Sequence, residues 1–299
     1  MADANMLHAL QNFRGNTQTP LDFMQFWQAA RAKTANALVC TTDATAGGAV
    51  FSAVSYQGAF QNTVTARYLA PETEKPTAVV LDFHDGNRAA RGAFYLARYL
   101  AIGCSVLAPN AFPPAAQGGF SVCGAEKTPQ EFLFYKVIQE ALLAADAAMK
   151  LAGDVPLYVS GEGLGGAMAL AVAALVPQVR KCAVLNPLLA DYRTVCEIGA
   201  DVGFYAPLRN YFRDADPLHD TETSLFAKLD YLDTVNFAAQ IKGELLFGTG
   251  LLDETAPVKT QYAAFNRAVC AKTHAVFQKY GHERINFYEN DALNFFLKT

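Results

Sequence analysis

The sequence lacks the clusters of basic residues that mark proteins binding nucleic acids or anionic membranes. Among its 299 residues, 24 are Lys or Arg and 28 are Asp or Glu, and no more than two basic residues are adjacent. The formal net charge of −4 therefore gives no electrostatic footprint for a phosphate backbone or an anionic lipid surface. We expect no nucleic acid and no membrane as a partner.

The sequence also lacks an apolar run long enough to span a bilayer. Its longest apolar stretch, GAMALAVAALV at residues 166–176, is about half as long as a transmembrane helix requires. The first residues, MADANMLHALQNFRGN, show no basic segment followed by an uninterrupted apolar run, so they do not resemble a signal peptide. A soluble, cytoplasmic protein is expected.

Metal-ligand and disulfide patterns are absent as well. The six cysteines form no C-x-x-C pair and no Cys/His ligand spacing, so we predict no metal site, no cofactor and no disulfide framework. Cys123 lies in a long breaker-rich loop predicted at residues 108–130, where a lone cysteine is more often inert. Asp214, Asp216 and Asp220 are close in sequence but lack the glycine and the distal glutamate of a calcium loop.

Apolar residues, in contrast, are abundant. They make up 52% of the sequence, against 17% charged residues, which is enough to bury a large core. Strand-like runs that are apolar nearly throughout alternate with helical patterns, as in parallel sheets covered by helices on both faces. This pattern predicts one α/β domain over residues 1–299 with a doubly wound, mostly parallel sheet and an N-terminal helical extension over residues 1–45. The predicted strands cover residues 77–84, 104–109, 156–160, 181–188, 243–250 and 274–280.

Residues 159–170, VSGEGLGGAMAL, fit two different motifs. As G-x-G-x-x-G they match the fingerprint that seats a dinucleotide pyrophosphate on a helix N-terminus. As G-x-S-x-G they match the nucleophile elbow of a hydrolase, with Gly163 in place of the serine. A dinucleotide fingerprint normally opens the first strand–helix unit and is followed by an acidic residue after the next strand. Here two such units precede the glycines, and the next strand ends in Asn186 and Pro187, so the elbow is favoured.

An elbow requires an acid and a histidine later in the chain, in that order. Asp253 follows the predicted strand 243–250, and His282 follows the strand 274–280. Both residues come just after strand C-termini, where open α/β sheets place their chemistry.

At this point the chain resembles a known family, the carbohydrate esterases that include acetyl xylan esterase and cephalosporin-C deacetylase. The resemblance covers nearly the whole chain. It rests on TPLDFMQFWQAA near the N-terminus, on FRDADPLHD, on the long segment LDYLDTVNFAAQIKGELLFGTGLLDETAPVKTQYAAFN, and on YGHE. The resemblance implies the α/β-hydrolase fold, acetyl-ester hydrolysis and a closed homo-oligomeric assembly.

The resemblance also implies roles for individual residues. Asp253 would be the acid of the catalytic triad and His282 its base, with Glu283 completing a His-Glu pair. Gly163 stands at the position of the nucleophilic serine, which is vacant. The backbone N–H of Leu164 would contribute to the oxyanion hole.

Other departures from the family pattern lie at the same site. His84, Asp85 and Gly86 stand where the family has His-Gly-Tyr, and the N–H of Gly86 is the second oxyanion candidate. His84 is a candidate for lining the pocket. Glu162, next to the vacant position, also lines the predicted pocket, and a structural role is favoured for it over a nucleophilic one.

Two functions remain open. The first is an acetyl-ester hydrolase with weak or no serine-esterase activity, in which His282 acts on a water molecule at the vacant nucleophile position. The second is a non-catalytic protein that binds a small molecule such as an acetylated saccharide. Among residues outside the site, Trp27 is expected to pack on an amphipathic helix, and His219 to tie a loop through hydrogen bonds.

Overall fold

The computed structural model describes residues 4–31, 38–112 and 128–298. These residues form a nine-stranded sheet in the order β1-β2-β3-β5-β4-β6-β7-β8-β9. The strands are β1 (Leu38–Ala46), β2 (Ala49–Gln57), β3 (Thr63–Pro71), β4 (Ala78–Phe83), β5 (Cys104–Pro109), β6 (Leu157–Glu162), β7 (Val179–Leu185), β8 (Glu244–Gly250) and β9 (Lys272–Phe277).

Strands β4 to β9 form a parallel sheet, as the sequence predicted. Each of the six predicted strands is confirmed to within a few residues. The sheet is extended at one edge by β1, β2 and β3, which pair antiparallel with one another and with β5. These three strands were not predicted because β1 is almost wholly exposed, and β2 and β3 bury only some of their side chains, unlike the apolar strands of the parallel part.

The predicted helical extension over residues 1–45 is wrong from residue 38 onwards. Two helices lie in this region, but Leu38–Ala46 is the edge strand β1. Gly47 and Gly48, both at positive φ, connect β1 to β2 as a two-residue hairpin. The hairpin turn fixes the antiparallel pairing, and this pairing overrides the helical continuation that the N-terminal pattern indicated.

The helices of the described residues cover both faces of the sheet. The α-helices are α1 (Ala4–Asn12), α2 (Phe23–Arg31), α3 (Ala93–Leu96), α4 (Leu133–Ala152), α5 (Leu164–Leu175), α6 (Tyr192–Glu197), α7 (Ala206–Asn210), α8 (Glu222–Leu229), α9 (Thr234–Ala238), α10 (Val258–Arg267) and α11 (Asn286–Leu297). Short 3-10 segments occupy Ala97–Ile102, Pro129–Glu131, Gly203–Tyr205 and Asp230–Leu232, and Tyr211–Ala215 forms one π-helical turn.

Alternating side chains of β4 divide the core into two layers. Val79 and Leu81 face α4 and α5 in the larger apolar cluster, whereas Val80 faces the smaller cluster formed with the 3-10 segment after α3 and with α11. This two-sided burial explains why the central strands are apolar at every position. None of the helices in the described part of the chain is long and apolar enough to cross a membrane.

Candidate active site

The glycine-rich segment forms a sharp turn between β6 and α5. Gly163 occupies this turn with φ +55°, in the left-handed region that disfavours side chains. A Cβ atom on Gly161 would overlap the carbonyl group of Gly165, and a Cβ on Gly165 would lie 2.5 Å from the carbonyl oxygen of Phe83. The spacing of the glycines therefore follows from close backbone packing at a strand-to-helix elbow.

Asp253 and His282 meet beside this turn. The Nδ1 atom of His282 lies 2.8 Å from Oδ2 of Asp253. The other carboxylate oxygen of Asp253 accepts hydrogen bonds from the backbone N–H groups of Thr255 and Ala256, each at 2.8 Å. Asp253 is thus held from one side by the loop after β8 and orients the imidazole of His282 from the other. The structure brings together the two residues that the sequence proposed as acid and base.

Asp85 occupies the place that a side chain at position 163 would take. A Cβ atom built on Gly163 would lie 2.5 Å from Cγ of Asp85, closer still to its Oδ1, and 2.9 Å from Nε2 of His282. The Oδ2 atom of Asp85 lies 3.4 Å from the same Nε2. The expectation that a water molecule fills the vacant position is therefore wrong, because the carboxylate of Asp85 stands there.

The two predicted oxyanion donors converge on one acceptor. The N–H of Leu164 donates to Oδ1 of Asp85 at 3.0 Å, and the N–H of Gly86 donates to the same atom at 2.7 Å. Leu164 is the first residue of α5, so its N–H has no acceptor within the helix and points out of the helix N-terminus. The two N–H groups that were predicted to form an oxyanion hole thus converge on one point, and a carboxylate oxygen of the chain itself lies there.

The site holds a histidine between two carboxylates. Burial alone would lower the pKa of His282, but its hydrogen bonds to Asp253 and Asp85 and the charges of both outweigh burial and raise the pKa to about 9. Burial alone would raise the pKa of Asp85, but the hydrogen bond and charge of His282, together with the Leu164 and Gly86 N–H groups, lower it. At neutral pH the imidazole is consequently cationic and Asp85 is ionised.

Glu162 lies among arginines next to the elbow. It forms ion pairs with Arg91, with Arg88 at 3.3 Å and with Arg284 at 3.8 Å. Burial raises its pKa, and the arginines, Arg91 most strongly, partly offset that effect. Glu162 and Arg88 also line a narrow cavity of about 10 Å³ with Asp85 and His282, roughly the room that one water needs. The contacts of Glu162 are those of a structural ion-pair network.

His84, predicted to line the pocket, does not line either of the cavities that adjoin His282. Its Nδ1 lies 2.7 Å from the carbonyl oxygen of Asp85, and its ring packs edge-on against Phe112. Burial lowers its pKa, so the ring is neutral at pH 7. Glu283 accepts a hydrogen bond from the N–H of Gly281 at 3.1 Å and thereby supports the loop that carries His282.

The residues predicted to be structural occupy structural positions. Trp27 is fully buried and stacks on Tyr135. His219 stacks on Phe212 and hydrogen-bonds Glu222, and Asp216 accepts bonds from the loop backbone. Cys123 and most of the predicted loop 108–130 lie outside the described residues. Among the residues described, no group of three or more His, Cys, Asp or Glu side chains is arranged to hold a metal ion.

Comparison with known proteins assigns the chain to a family. A family model described as acetyl xylan esterase (AXE1) matches residues 1–299. The chain belongs to the acetyl xylan esterase family. The match runs over the whole chain and therefore includes the glycine-rich turn, Asp253 and His282.

Solved structures of the family superpose on nearly the whole chain. Acetyl xylan esterase 1 from Thermoanaerobacterium sp. JW/SL YS485 is 27% identical, with a TM-score of 0.87 over 97% of this chain and 98% of that one. Acetyl xylan esterase from Paenibacillus sp. R4 is 26% identical, with a TM-score of 0.84 over the same shares. A cold-adapted esterase from an Arctic intertidal metagenomic library, 15% identical with a TM-score of 0.55, shares the fold over 85% of this chain and 95% of its own. The chain therefore has the α/β-hydrolase fold.

The sequence analysis assigned no role to Asp85, although this residue lies at the centre of the site. The signal was present, since an acidic residue stands where the family pattern has glycine, directly after the predicted strand 77–84. Its approach to Gly163 was not predictable, because it depends on β4 and β6 being neighbours in the sheet.

Proposed function

We propose that this member of an acetyl-ester hydrolase lineage has weak or no serine-esterase activity. The observation that carries the proposal is the carboxylate of Asp85 in the space above Gly163. Serine-type acyl transfer needs a hydroxyl beside the histidine and two free N–H groups for the oxyanion. In this chain the elbow bears no side chain, and both N–H groups already donate to Asp85.

The charge state of His282 supports the same proposal. A general base has to be neutral in order to accept a proton. With a pKa raised to about 9 by its two carboxylate partners, His282 is protonated at pH 7. An esterase that loses one triad member commonly still accelerates the reaction about 10³- to 10⁴-fold over water, through its oxyanion hole and substrate binding. We expect less here, because the oxyanion hole is filled.

Hydrolysis of 4-nitrophenyl acetate tests the proposal. The variants are the unmodified chain, Gly163→Ser, and the double variant Gly163→Ser with Asp85→Gly, each with and without His282→Ala. We expect the unmodified chain and Gly163→Ser to hydrolyse the ester no faster than the same chains carrying His282→Ala. The double variant has both a hydroxyl and an open oxyanion hole, so its turnover should fall by about 10² or more when His282 is replaced. Turnover by the unmodified chain that needs His282 would refute the proposal.

The alternative function is non-catalytic binding of a small acylated sugar. In that case the acetyl carbonyl has to be held by donors other than the Leu164 and Gly86 N–H groups. Calorimetric titration with an acetylated xylo-oligosaccharide and with its deacetylated form separates the two possibilities. Binding that depends on the acetyl group, without hydrolysis of either form, would favour the binding protein.

A further inference from the structure

The two carboxylate oxygens of Asp85 have different surroundings. Oδ1 accepts both N–H groups of the elbow, whereas Oδ2 faces His282. The side chain is 6% exposed. A cavity of about 50 Å³ adjoins it, lined by Asp85, Gly86, Asn87, Leu188, Phe204, Thr255 and His282. The ionised carboxylate of Asp85 thus borders a small cavity next to an oriented histidine.

We propose that Asp85 is a catalytic nucleophile that displaces a leaving group from a saturated carbon atom of a small alkyl substrate. This activity goes beyond the proposed loss of serine-esterase function and does not depend on it. Carboxylates are established nucleophiles in covalent catalysis. The carbonyl carbon of an acetyl ester is a poor target for Asp85, because the departing alkoxide is a much stronger base than the attacking carboxylate.

In the first step, a lone pair on Oδ2 of Asp85 forms a bond to the substrate carbon. The bond from that carbon to its leaving group breaks, and the leaving group departs with the electron pair. The product is an alkyl ester of Asp85, and no proton moves. His282 and the two N–H groups contact the carboxylate itself, so none of them lies on the far side of the carbon, where the leaving group departs. The leaving group therefore has to be a weak base, such as a halide ion.

In the second step, a water molecule attacks Cγ of the Asp85 ester while Nε2 of His282 accepts its proton. The negative charge develops on Oδ1, where the N–H groups of Leu164 and Gly86 already donate. The intermediate collapses by breaking the bond from Cγ to the alkylated oxygen, which leaves as an alcohol with the proton from His282. The new carboxyl group releases the second proton of the water and regenerates the Asp85 carboxylate with one oxygen from water.

Esterification of Asp85 also changes the charge of the site in the direction that the second step needs. In the free protein, His282 is flanked by two carboxylates, one on each ring nitrogen. Once Asp85 is an uncharged ester, only the Asp253 carboxylate remains beside the ring. The pKa of His282 then falls, so the imidazolium releases its proton to the solvent, and the neutral imidazole can accept a proton from the attacking water.

The size of the cavity limits the substrate. Since about 10 to 15 Å³ of such space holds one water, a cavity of about 50 Å³ admits a group of roughly three to five heavy atoms. Short primary haloalkanes and haloacetates are of this size. We therefore choose bromoethane, 1-bromopropane and bromoacetate as probes.

The experiment follows the alkyl group, bromide and oxygen separately. His282→Gln blocks the second step, so peptide mass spectrometry should find an alkyl ester on Asp85 after incubation with at least one probe. The unmodified chain and the exposed control Asp214→Asn should release bromide repeatedly, and Asp85→Asn should not. Turnover of the unmodified chain in ¹⁸O-labelled water should place the label in the Asp85 carboxylate.

Three results would overturn the proposal. One is the absence of an Asp85 ester in His282→Gln with every probe. Another is bromide release by Asp85→Asn at the rate of the unmodified chain. The third is ¹⁸O found in the alcohol product but never in Asp85, which would mean direct attack by water. None of these readouts uses an acetate ester, so the outcome is independent of the esterase assay above.

Discussion

At the scale of single residues, Gly163 and Asp85 act as a pair. The glycine leaves the elbow without a side chain, and the aspartate of the neighbouring strand end fills the space with a charged group. The pair keeps the geometry of the site compact and places a carboxylate beside His282. Replacing one member without the other should therefore cost stability.

Gly163→Ser alone is expected to destabilise the protein. Its cost has two sources: backbone strain at φ +55° and the collision of the new Cβ with Asp85. Together these should lower the free energy of unfolding by about 2 to 6 kcal/mol, measured by urea denaturation. Adding Asp85→Gly should restore most of the part that comes from the collision.

Gly153→Ser serves as the matched control for backbone strain. Gly153 also has positive φ, +75°, but an added Cβ there meets no atom of the described residues within 4 Å. It should cost about 1 to 3 kcal/mol, the strain of a backbone conformation that is essentially restricted to glycine. Equal costs for the two serine variants would mean that Asp85 does not occupy the space above Gly163.

At the scale of elements, Trp27 is the largest of the buried side chains that anchor α2 to the core. Trp27 is fully buried, stacks on Tyr135 of α4 and donates its indole N–H to the carbonyl of Tyr231 at 2.9 Å. The helix is only nine residues long, too short to be stable by itself in water. Its position on α4 therefore depends on tertiary contacts, and Trp27 contributes the largest buried side chain to them.

Trp27→Ala should lower the free energy of unfolding by about 3 to 5 kcal/mol, the usual cost of removing a large buried aromatic. Leu21→Ala is the control in the same region, because Leu21 is fully exposed just before α2 and should change stability by less than about 0.5 kcal/mol. Urea denaturation measures both variants. A cost for Trp27→Ala as small as that of the control would show that α2 is not held by this contact.

At the scale of the whole molecule, the charges around His282 couple folding to pH. His282 has a pKa of about 9 in the folded chain and near 6.5 when unfolded, so its stabilisation is complete below pH 6.5 and is lost as pH rises to 9. The pKa of Asp85 is lowered, so its contribution is present above its unfolded pKa and is lost as pH falls through the folded value. Both contributions are present between about pH 4 and 6.5.

The free energy of unfolding should therefore decrease between pH 6.5 and 9, by on the order of 3 kcal/mol from His282 alone. In Asp85→Asn the decrease should be smaller, because one of the two carboxylates that raise the pKa is gone. Urea denaturation at several pH values measures the free energy of unfolding of each variant. His282→Gln shows how much of the pH dependence comes from all other titratable groups. Identical pH dependence in the unmodified chain and His282→Gln would contradict the predicted charge on His282.

The sequence by itself determined the parallel strands, the elbow and the pairing of Asp253 with His282. Strands buried on both faces have to be apolar throughout, and the hydrolase order of elbow, Asp253 and His282 is linear in the chain. The antiparallel strands β1 to β3 were less visible, because half-exposed strands and their hairpin leave a weaker pattern. Only the tertiary structure decided the role of Asp85. Its carboxylate reaches Gly163, Leu164 and His282 because β4 and β6 are adjacent in the sheet. These two strands are not consecutive in the chain, so the order of residues does not show that they are neighbours.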